Sequence, residues 1–228
     1  MTKKKIVVLS GAGMSAESGI QTFRGAGGLW NGHDVMEVAS PEGWAANPEM
    51  VLEFYNQRRK QAAEVEPNQG HILLAEMENE YDIQIITQNV DNLHEKAGSS
   101  NVLHLHGELF KVRSTVDESK VYDLDGWELN WGDKCELGSQ LRPHIVWFGE
   151  AVPLISTAFT IAKTAEVFVI IGTSMAVYPA ASIVDYVAHQ VPKHIIDPDI
   201  PPVYGINNLY KIEMGAGKGV RELIERLK

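Results

Sequence analysis

The sequence predicts an α/β fold, a doubly wound parallel sheet that carries a small inserted lobe. Apolar runs of strand length recur at residues 6–9, 83–87, 102–105, 145–148, 167–171 and 194–196. Several are continuously apolar, as expected of strands covered on both faces of a parallel sheet. Helical periodicity fills several of the intervals, and this alternation places helices on both sides of an open sheet. Two segments break it: residues from about 25 to 71 hold helical pattern without a good strand, and residues 111–141 are polar, rich in Asp, Glu and Gly, and turn-like. The sheet domain is therefore expected over about 1–30, 72–110 and 142–228, with the lobe built from insertions at about 31–71 and 111–141.

Each element has its own signal. The first strand stops at Ser10 before a glycine-rich turn, and the run Val167 to Ile171 is apolar throughout. Helices are expected over residues 48–64, 69–78, 154–165, 180–190 and 219–227, the last after a glycine-rich turn. No apolar stretch has the length of a membrane span. Lys3, Lys4 and Lys5 precede an apolar run that ends at Ser10, too short for a signal-peptide core, so a cytoplasmic protein is expected. At 228 residues, 44% hydrophobic and 22% charged, the chain suits one domain able to bury a full core. A net charge of −10 repels phosphate backbones, which disfavours a nucleic-acid binder and tolerates lysine-rich partners. The single cysteine, Cys135, excludes an intrachain disulfide and a cysteine-rich zinc site.

The loop after the first strand reads Ser10-Gly11-Ala12-Gly13-Met14-Ser15-Ala16, a G-x-G-x-x-A spacing in the context of a dinucleotide fingerprint. In that reading Gly11 permits a tight turn, Gly13 lets amides approach a pyrophosphate, and Ala16 allows close helix packing. The helix N-terminus then faces the negative charge. A helix-entry turn with no ligand is the lesser alternative for this loop. A dehydrogenase would continue into a second strand ending in an acidic residue, but here Gly25, Ala26, Gly27, Gly28, Leu29, Trp30, Asn31 and Gly32 form a glycine-rich loop. Hydride transfer is thereby weakened, and a cofactor covered by a loop gains ground.

Further motifs follow in order: Ser18-Gly19-Ile20 leading to Phe23-Arg24-Gly25, then Thr87-Gln88-Asn89-Val90-Asp91, His104-Leu105-His106-Gly107, Leu141 through Glu150 (LRPHIVWFGE), and Gly172-Thr173-Ser174. Gln88, Asn89 and Asp91 follow a strand, where open sheets bind ligands, although an Asx-rich turn would read the same way. His104 and His106 are two apart on an expected strand and so should share one face. Packed histidines or metal ligands are both open for such a pair. The acidic run Asp117 to Asp133 matches no EF-hand spacing and reads as a solvated loop.

Together these blocks resemble the sirtuin family, over nearly the whole chain. The resemblance implies a Rossmann-like NAD domain with a small lobe, and NAD-dependent removal of acyl groups from protein lysines, giving nicotinamide and O-acyl-ADP-ribose. It implies catalytic roles for His106, Asn89 and Asp91, His106 being the general base, for which its near-neutral pKa is suited. It implies NAD contacts from Gly11, Ala12, Gly13, Ser15, Ala16, Gly19, Ile20, Phe23, Arg24, Trp30, Gln88, Asn89, Val90, Asp91, Gly172, Thr173, Ser174, Asp197 and Ala216. Val146, Trp147, Phe148 and Gly149, facing Val177, would receive an extended acyl-lysine peptide as an added strand. Tyr55 and Arg58, three apart on a helix, resemble the acyl pocket of the class III branch, where they bind the distal carboxylate of succinyl or malonyl groups. A solvent-facing basic patch with Arg59 and Lys60 is the plainer alternative.

The chain departs from the pattern in places. The two Cys-x-x-Cys pairs usual in the small lobe are reduced to Cys135, so no zinc is expected. Packing of Val121, Tyr122, Leu124, Trp127 and Trp131 should hold the lobe instead. Gln21 and Thr22 replace a commoner Pro and Asp, and the adenine end, with Asp197 and Gly215-Ala216-Gly217, is a loose match. ADP-ribosyl transfer, NAD hydrolysis and a non-catalytic NAD sensor are the rival readings.

Overall fold

The structure of the chain is a computed structural model that describes residues 2–21, 29, 30 and 32–228, residues 29 and 30 by backbone only. In chain order the strands and helices are β1 (Lys5–Ser10), a 3₁₀ helix (Ala12–Ser18), β2 (Leu29–Trp30), β3 (His33–Asp34), α1 (Val35–Val38), α2 (Pro41–Ala46), α3 (Pro48–Glu64) and α4 (Gln69–Met77). There follow β4 (Asp82–Thr87), α5 (Leu93–Lys96), β5 (Val102–His104), β6 (Gly107–Ser114), β7 (Val121–Asp123) and β8 (Leu141–Ile145). The chain ends with α6 (Ile155–Lys163), β9 (Val167–Ile171), a second 3₁₀ helix (Ala180–Tyr186), β10 (Lys193–Ile196), β11 (Leu209–Ile212) and α7 (Ala216–Leu227).

Six strands form one sheet in the order β11-β10-β9-β1-β4-β5, every pair parallel. The chain steps from β1 outward through β4 and β5, then restarts on the other side of β1 with β9, β10 and β11. A crevice opens where the direction of winding reverses, beyond the carboxyl ends of β1, β4 and β9. Alternate residues feed the two faces. Ile6, Val8, Ile83 and Val169 pack with Leu74 of α4 and Val220 and Leu223 of α7. Val7, Leu9, Ile86 and Phe168 pack with Ala158 and Ala162 of α6 and Ile183 of the second 3₁₀ helix. Burial of both faces is what makes these strands apolar without alternation.

The segment 145–148 is not a strand of the parallel sheet, as its apolar run suggested. β8 ends at Ile145 and pairs antiparallel with β6 in a separate sheet of order β7-β6-β8. Its Pro143 suits an edge strand, where a missing amide is tolerated. Ile145 and Trp147 are apolar because they enter a third cluster with Val51, Phe54 and Tyr55 of α3. β11 has no clear apolar run, since Leu-Tyr-Lys-Ile lies at the sheet edge with Tyr210 and Lys211 exposed. The element expected at 180–190 is a 3₁₀ helix ending at Tyr186, and the last helix begins at Ala216 rather than Gly219.

The lobe is held differently from the expectation. Leu52, Val112 and Leu129 form its buried centre with Tyr122 and Leu124 alongside, whereas Val121 and Trp131 are 37% and 56% exposed. A polar clamp adds to the packing. Fully buried Arg59 donates from Nε to the Leu109 carbonyl at 2.8 Å, and from Nη1 to the Trp127 carbonyl at 3.0 Å and to Asn56 Oδ1 at 2.5 Å. Asn56 brackets Leu129, donating to its carbonyl at 3.1 Å and accepting from its amide at 2.9 Å. Of the basic trio on α3, only Lys60 is left outward, over the Trp127 ring at 5.4 Å.

Candidate active site

A cavity of about 270 Å³ occupies the crevice between the sheet and the lobe. Its sheet side is made by the loops that leave β1, β4 and β9, which bring Gly11, Ala12, Gly13 and Ser15, then Gln88, Asn89, Val90 and Asp91, then Gly172, Thr173 and Ser174 to its wall. Ile20, His106, Tyr55, Arg58, Val146, Trp147, Phe148, Gly149 and Val177 also line it. Thus most of the residues singled out from sequence converge on one space, although they come from separate parts of the chain.

The glycine loop acts otherwise than the fingerprint reading supposed. Gly11 has extended backbone, and the Gly13 amide donates to the Gly172 carbonyl at 2.8 Å. A Cβ on Gly13 would lie 2.6 Å from Gly172 Cα, and Gly172 itself has φ +61°. The glycines therefore allow two loops to cross in contact, and that amide is engaged within the fold. The element after the loop is a seven-residue 3₁₀ helix, on which Ala16 is exposed rather than packed. Gly19 closes it in the left-handed region and is likewise exposed.

Behind the wall, hydrogen bonds fix the polar side chains. The Ser15 hydroxyl donates to Asp91 Oδ2 at 3.0 Å and accepts from Asn89 Nδ2 at 3.1 Å, while the Leu93 amide donates to Asp91 Oδ1 at 3.2 Å. Burial raises the Asp91 carboxyl pKa, and these donors oppose the rise. The Asn89 amide donates to Thr87 Oγ1, which also accepts from Ser10 Oγ, itself 3.1 Å from His94 Nε2.

The two motif histidines do not share a strand face. β5 ends at His104, and the chain turns through Leu105 and His106 into β6 at Gly107. Gly107 has φ +85°, and a Cβ there would collide with the His144 carbonyl, so this turn demands glycine. His106 Nδ1 lies 3.0 Å from the Gln88 carbonyl. A carbonyl only accepts, so Nδ1 carries the hydrogen and Nε2 keeps its lone pair. Burial lowers the His106 pKa, only partly offset by that hydrogen bond, which favours the neutral ring. His104 instead meets acceptors at both nitrogens, the Asn89 carbonyl at 2.9 Å and Glu95 Oε1 at 2.8 Å. Burial pulls its pKa down, but the hydrogen bond and charge of Glu95 outweigh it and the net shift is upward. His106 thus keeps a lone pair at Nε2, whereas His104 is held between two acceptors.

Tyr55 and Arg58 lie on the inner face of α3, at the cavity wall. Tyr55 is fully buried, and its hydroxyl accepts from Trp147 Nε1 at 3.0 Å. Arg58 is 7% exposed and lines the cavity; burial lowers its pKa to about 10, leaving it charged at neutral pH. It is not part of a solvent-facing patch. Trp147, expected on a peptide-binding edge, is buried at 2% exposure, whereas Phe148 and Tyr178 are exposed at the rim. The amides of Val146, Trp147 and Phe148 are all taken inward, by the His106 carbonyl, Glu150 Oε2 and the Ala39 carbonyl.

Asp197 and Ala216 do not line the cavity. Asp197 is buried at the end of β10, where Oδ1 accepts from the Asp199 amide at 2.9 Å. Ala216 is buried against Gly70, and the Glu17 carboxylate caps the start of α7 at the Gly217 amide, 3.3 Å away. Phe23 and Arg24 lie outside the described residues, as does the Trp30 side chain. Sequence reasoning missed Gln61 and Ala62, which also line the cavity. They stand three and four positions beyond Arg58, so the helical period could have found them. It also missed Glu150, which lines the cavity while paired with Arg142 at 2.7 Å and Arg113 at 3.2 Å.

Residues 11–179 match the family model described as the Sir2 family. The chain is 54% identical over 226 residues to an "NAD-dependent protein deacylase" of Helicobacter pylori, covering 98% of this chain and 97% of that one. It is 52% identical over 229 residues to a protein of the same name from Bacteroides thetaiotaomicron, covering 98% of each. Its structure superposes with a TM-score of 0.87 on the crystal structure of a Sir2 homologue–NAD complex, at 39% identity, covering 99% of this chain and 91% of that chain. With a six-stranded parallel sheet, a lobe beside its switch point and the family's motifs gathered at one cavity, the chain belongs to the Sir2 family.

Proposed function

We propose that the chain is an NAD-dependent protein lysine deacylase whose acyl pocket accepts acidic groups such as succinyl and malonyl beside acetyl. The observation that carries the acyl preference is the buried, charged guanidinium of Arg58 lining the cavity three residues from Tyr55. A guanidinium fork matches a carboxylate in charge and in geometry. The chemistry is supported by the neutral His106 ring, whose Nε2 has no partner among the described residues, lining the same cavity as Asn89 and Asp91.

The donor set suits NAD as co-substrate: a cavity at the sheet's switch point, walled by small residues where the loops leave β1 and β9, and flanked by amide, hydroxyl and carboxyl groups. Bound NAD supplies an electrophilic ribose carbon with nicotinamide as the leaving group. Gly11, Ala12, Gly13, Ser15, Ile20, Gln88, Val90, Thr173 and Ser174 would hold the cofactor, and Asn89 and Asp91, braced by Ser15, would orient its reacting end. His106 Nε2 would accept a proton from a ribose hydroxyl of bound NAD, general-base help typically worth about 10² to 10⁴ in rate. Phe148 and Tyr178 at the rim would flank an acyl-lysine peptide, which meets carbonyl acceptors along 146–148 rather than amides, because those amides are engaged within the fold. Among the described residues no helix is long and apolar enough to cross a membrane, and we place the protein in the cytoplasm.

The test is kcat/KM with acetyl-, succinyl- and malonyl-lysine peptides, with product analysis. Arg58→Ala should lower desuccinylation on the order of 10²-fold, the loss of a charge-assisted bidentate contact of about 3 kcal/mol, and deacetylation far less. Equal losses would sink the acidic-acyl assignment. Free ADP-ribose released without peptide would favour plain NAD hydrolysis instead.

A further inference from the structure

Tyr55 presents an unusual account of hydrogen bonds. Its hydroxyl is buried, it accepts from the Trp147 indole, and among the described residues no acceptor stands within reach of its own hydrogen. A phenol has one hydrogen to give and two lone pairs to receive, and buried polar groups are almost always satisfied. Among the described residues, the hydrogen thus lacks an acceptor at the wall of a cavity that Arg58 also lines.

The indole that holds this hydroxyl is itself fixed on every side. The Trp147 amide donates to Glu150 Oε2 at 2.8 Å, and the Arg142 guanidinium stacks on the Trp147 ring with Cζ 3.3 Å from its centroid. Arg142 and Arg113 both bind Glu150, and Trp44 packs beside the ring at 5.8 Å. A ring so enclosed keeps Nε1–H aimed at one point.

We propose that Trp147 is a positioning residue for acyl selectivity: its indole hydrogen takes one lone pair of the Tyr55 hydroxyl and so turns the phenolic hydrogen toward the distal carboxylate of an acidic acyl chain. The inference rests on the acidic-acyl reading of the Tyr55 and Arg58 pocket, and goes beyond it by making the acceptor role of Tyr55 the source of its donor direction. Tyr55 stays protonated as this requires, because burial raises its pKa well above the usual phenol value.

The experiment compares Trp147→Phe, which keeps a ring but removes the N–H, with Tyr55→Phe and the double variant. Each is assayed for kcat/KM on succinyl- and acetyl-lysine peptides after thermal melting has shown it folded. Trp147→Phe should reduce desuccinylation roughly tenfold more than deacetylation, the weight of one hydrogen bond near 1.4 kcal/mol, and this extra loss should vanish in the Tyr55→Phe background. If Trp147→Phe fails to fold, β-(3-benzothienyl)alanine placed at position 147 removes only the N–H from an otherwise isosteric ring. Equal losses on both substrates, or an extra loss that survives without the Tyr55 hydroxyl, overturn the proposal. Failure of the underlying pocket reading is seen separately, as an Arg58→Ala variant with no acyl selectivity.

Discussion

Two histidines separated by one residue carry opposite protonation states because of what each nitrogen meets. His106 faces a carbonyl at Nδ1 and meets no partner at Nε2 among the described residues, whereas His104 is held between a carbonyl and the Glu95 carboxylate. A neutral imidazole can accept a proton and a doubly donating imidazolium cannot. The His106 pKa is lowered below its usual 6.5, so the ring proposed as the base stays neutral to more acidic pH. kcat/KM should therefore hold down to an apparent pKa below 6.5 and fall beneath it. An acid limb above 6.5 would mean that another group sets it. His106→Ala should lower deacylation by about 10² to 10⁴ while NAD binding, followed by calorimetry, changes little; full turnover in that variant would remove the base assignment.

At the scale of elements, α3 joins the lobe to the pocket. Successive side chains on a helix point about 100° apart, so Tyr55 and Arg58 face the cavity while Asn56 and Arg59 face the lobe. The clamp made by Arg59 ties α3 to β6 and to the 127–129 loop, a cross-link of the kind a structural metal provides elsewhere. Arg59→Ala removes the guanidinium donor from the Leu109 and Trp127 carbonyls and leaves Asn56 Oδ1 with the Leu129 amide alone, so stability should fall by about 2–4 kcal/mol in a denaturant titration. A change below about 0.5 kcal/mol would mean that packing alone holds the lobe. Chelator should leave the melting temperature of the unmodified protein unchanged, since Cys135 is its only cysteine.

For the whole molecule, buried histidines govern how stability follows pH. Burial lowers the pKa of His71 to about 4, and lowers those of His94, His106, His144 and His194 as well. A group whose folded pKa is depressed contributes stability above its unfolded pKa and loses it as pH falls toward the folded value. His104 acts in the opposite sense: its raised pKa contributes below 6.5 and is lost as pH rises through the folded value. Five groups outweigh one. The melting temperature should drop as pH is lowered from 7 to 5, and a flat or rising profile there would contradict the buried neutral rings.

The local features were legible because they are set by neighbours in sequence. Strand apolarity at residues 6–9, 83–87 and 167–171, the helix over Pro48–Glu64 and the motif blocks could all be read from residue type and spacing. What depended on distant partners could not. Residues 145–148 are apolar because α3 covers them, not because strands flank them; Gly13 is small because Gly172 crosses it; Arg59 is buried because carbonyls from two other segments meet its guanidinium. The division between His104 and His106 belongs to the same class. Which chemical groups the protein carries, and the periodic pattern that folds them into a parallel sheet, follow from the order of its residues. Which acceptor each donor meets follows from the folded arrangement, because burial and pairing depend on chain segments remote in sequence.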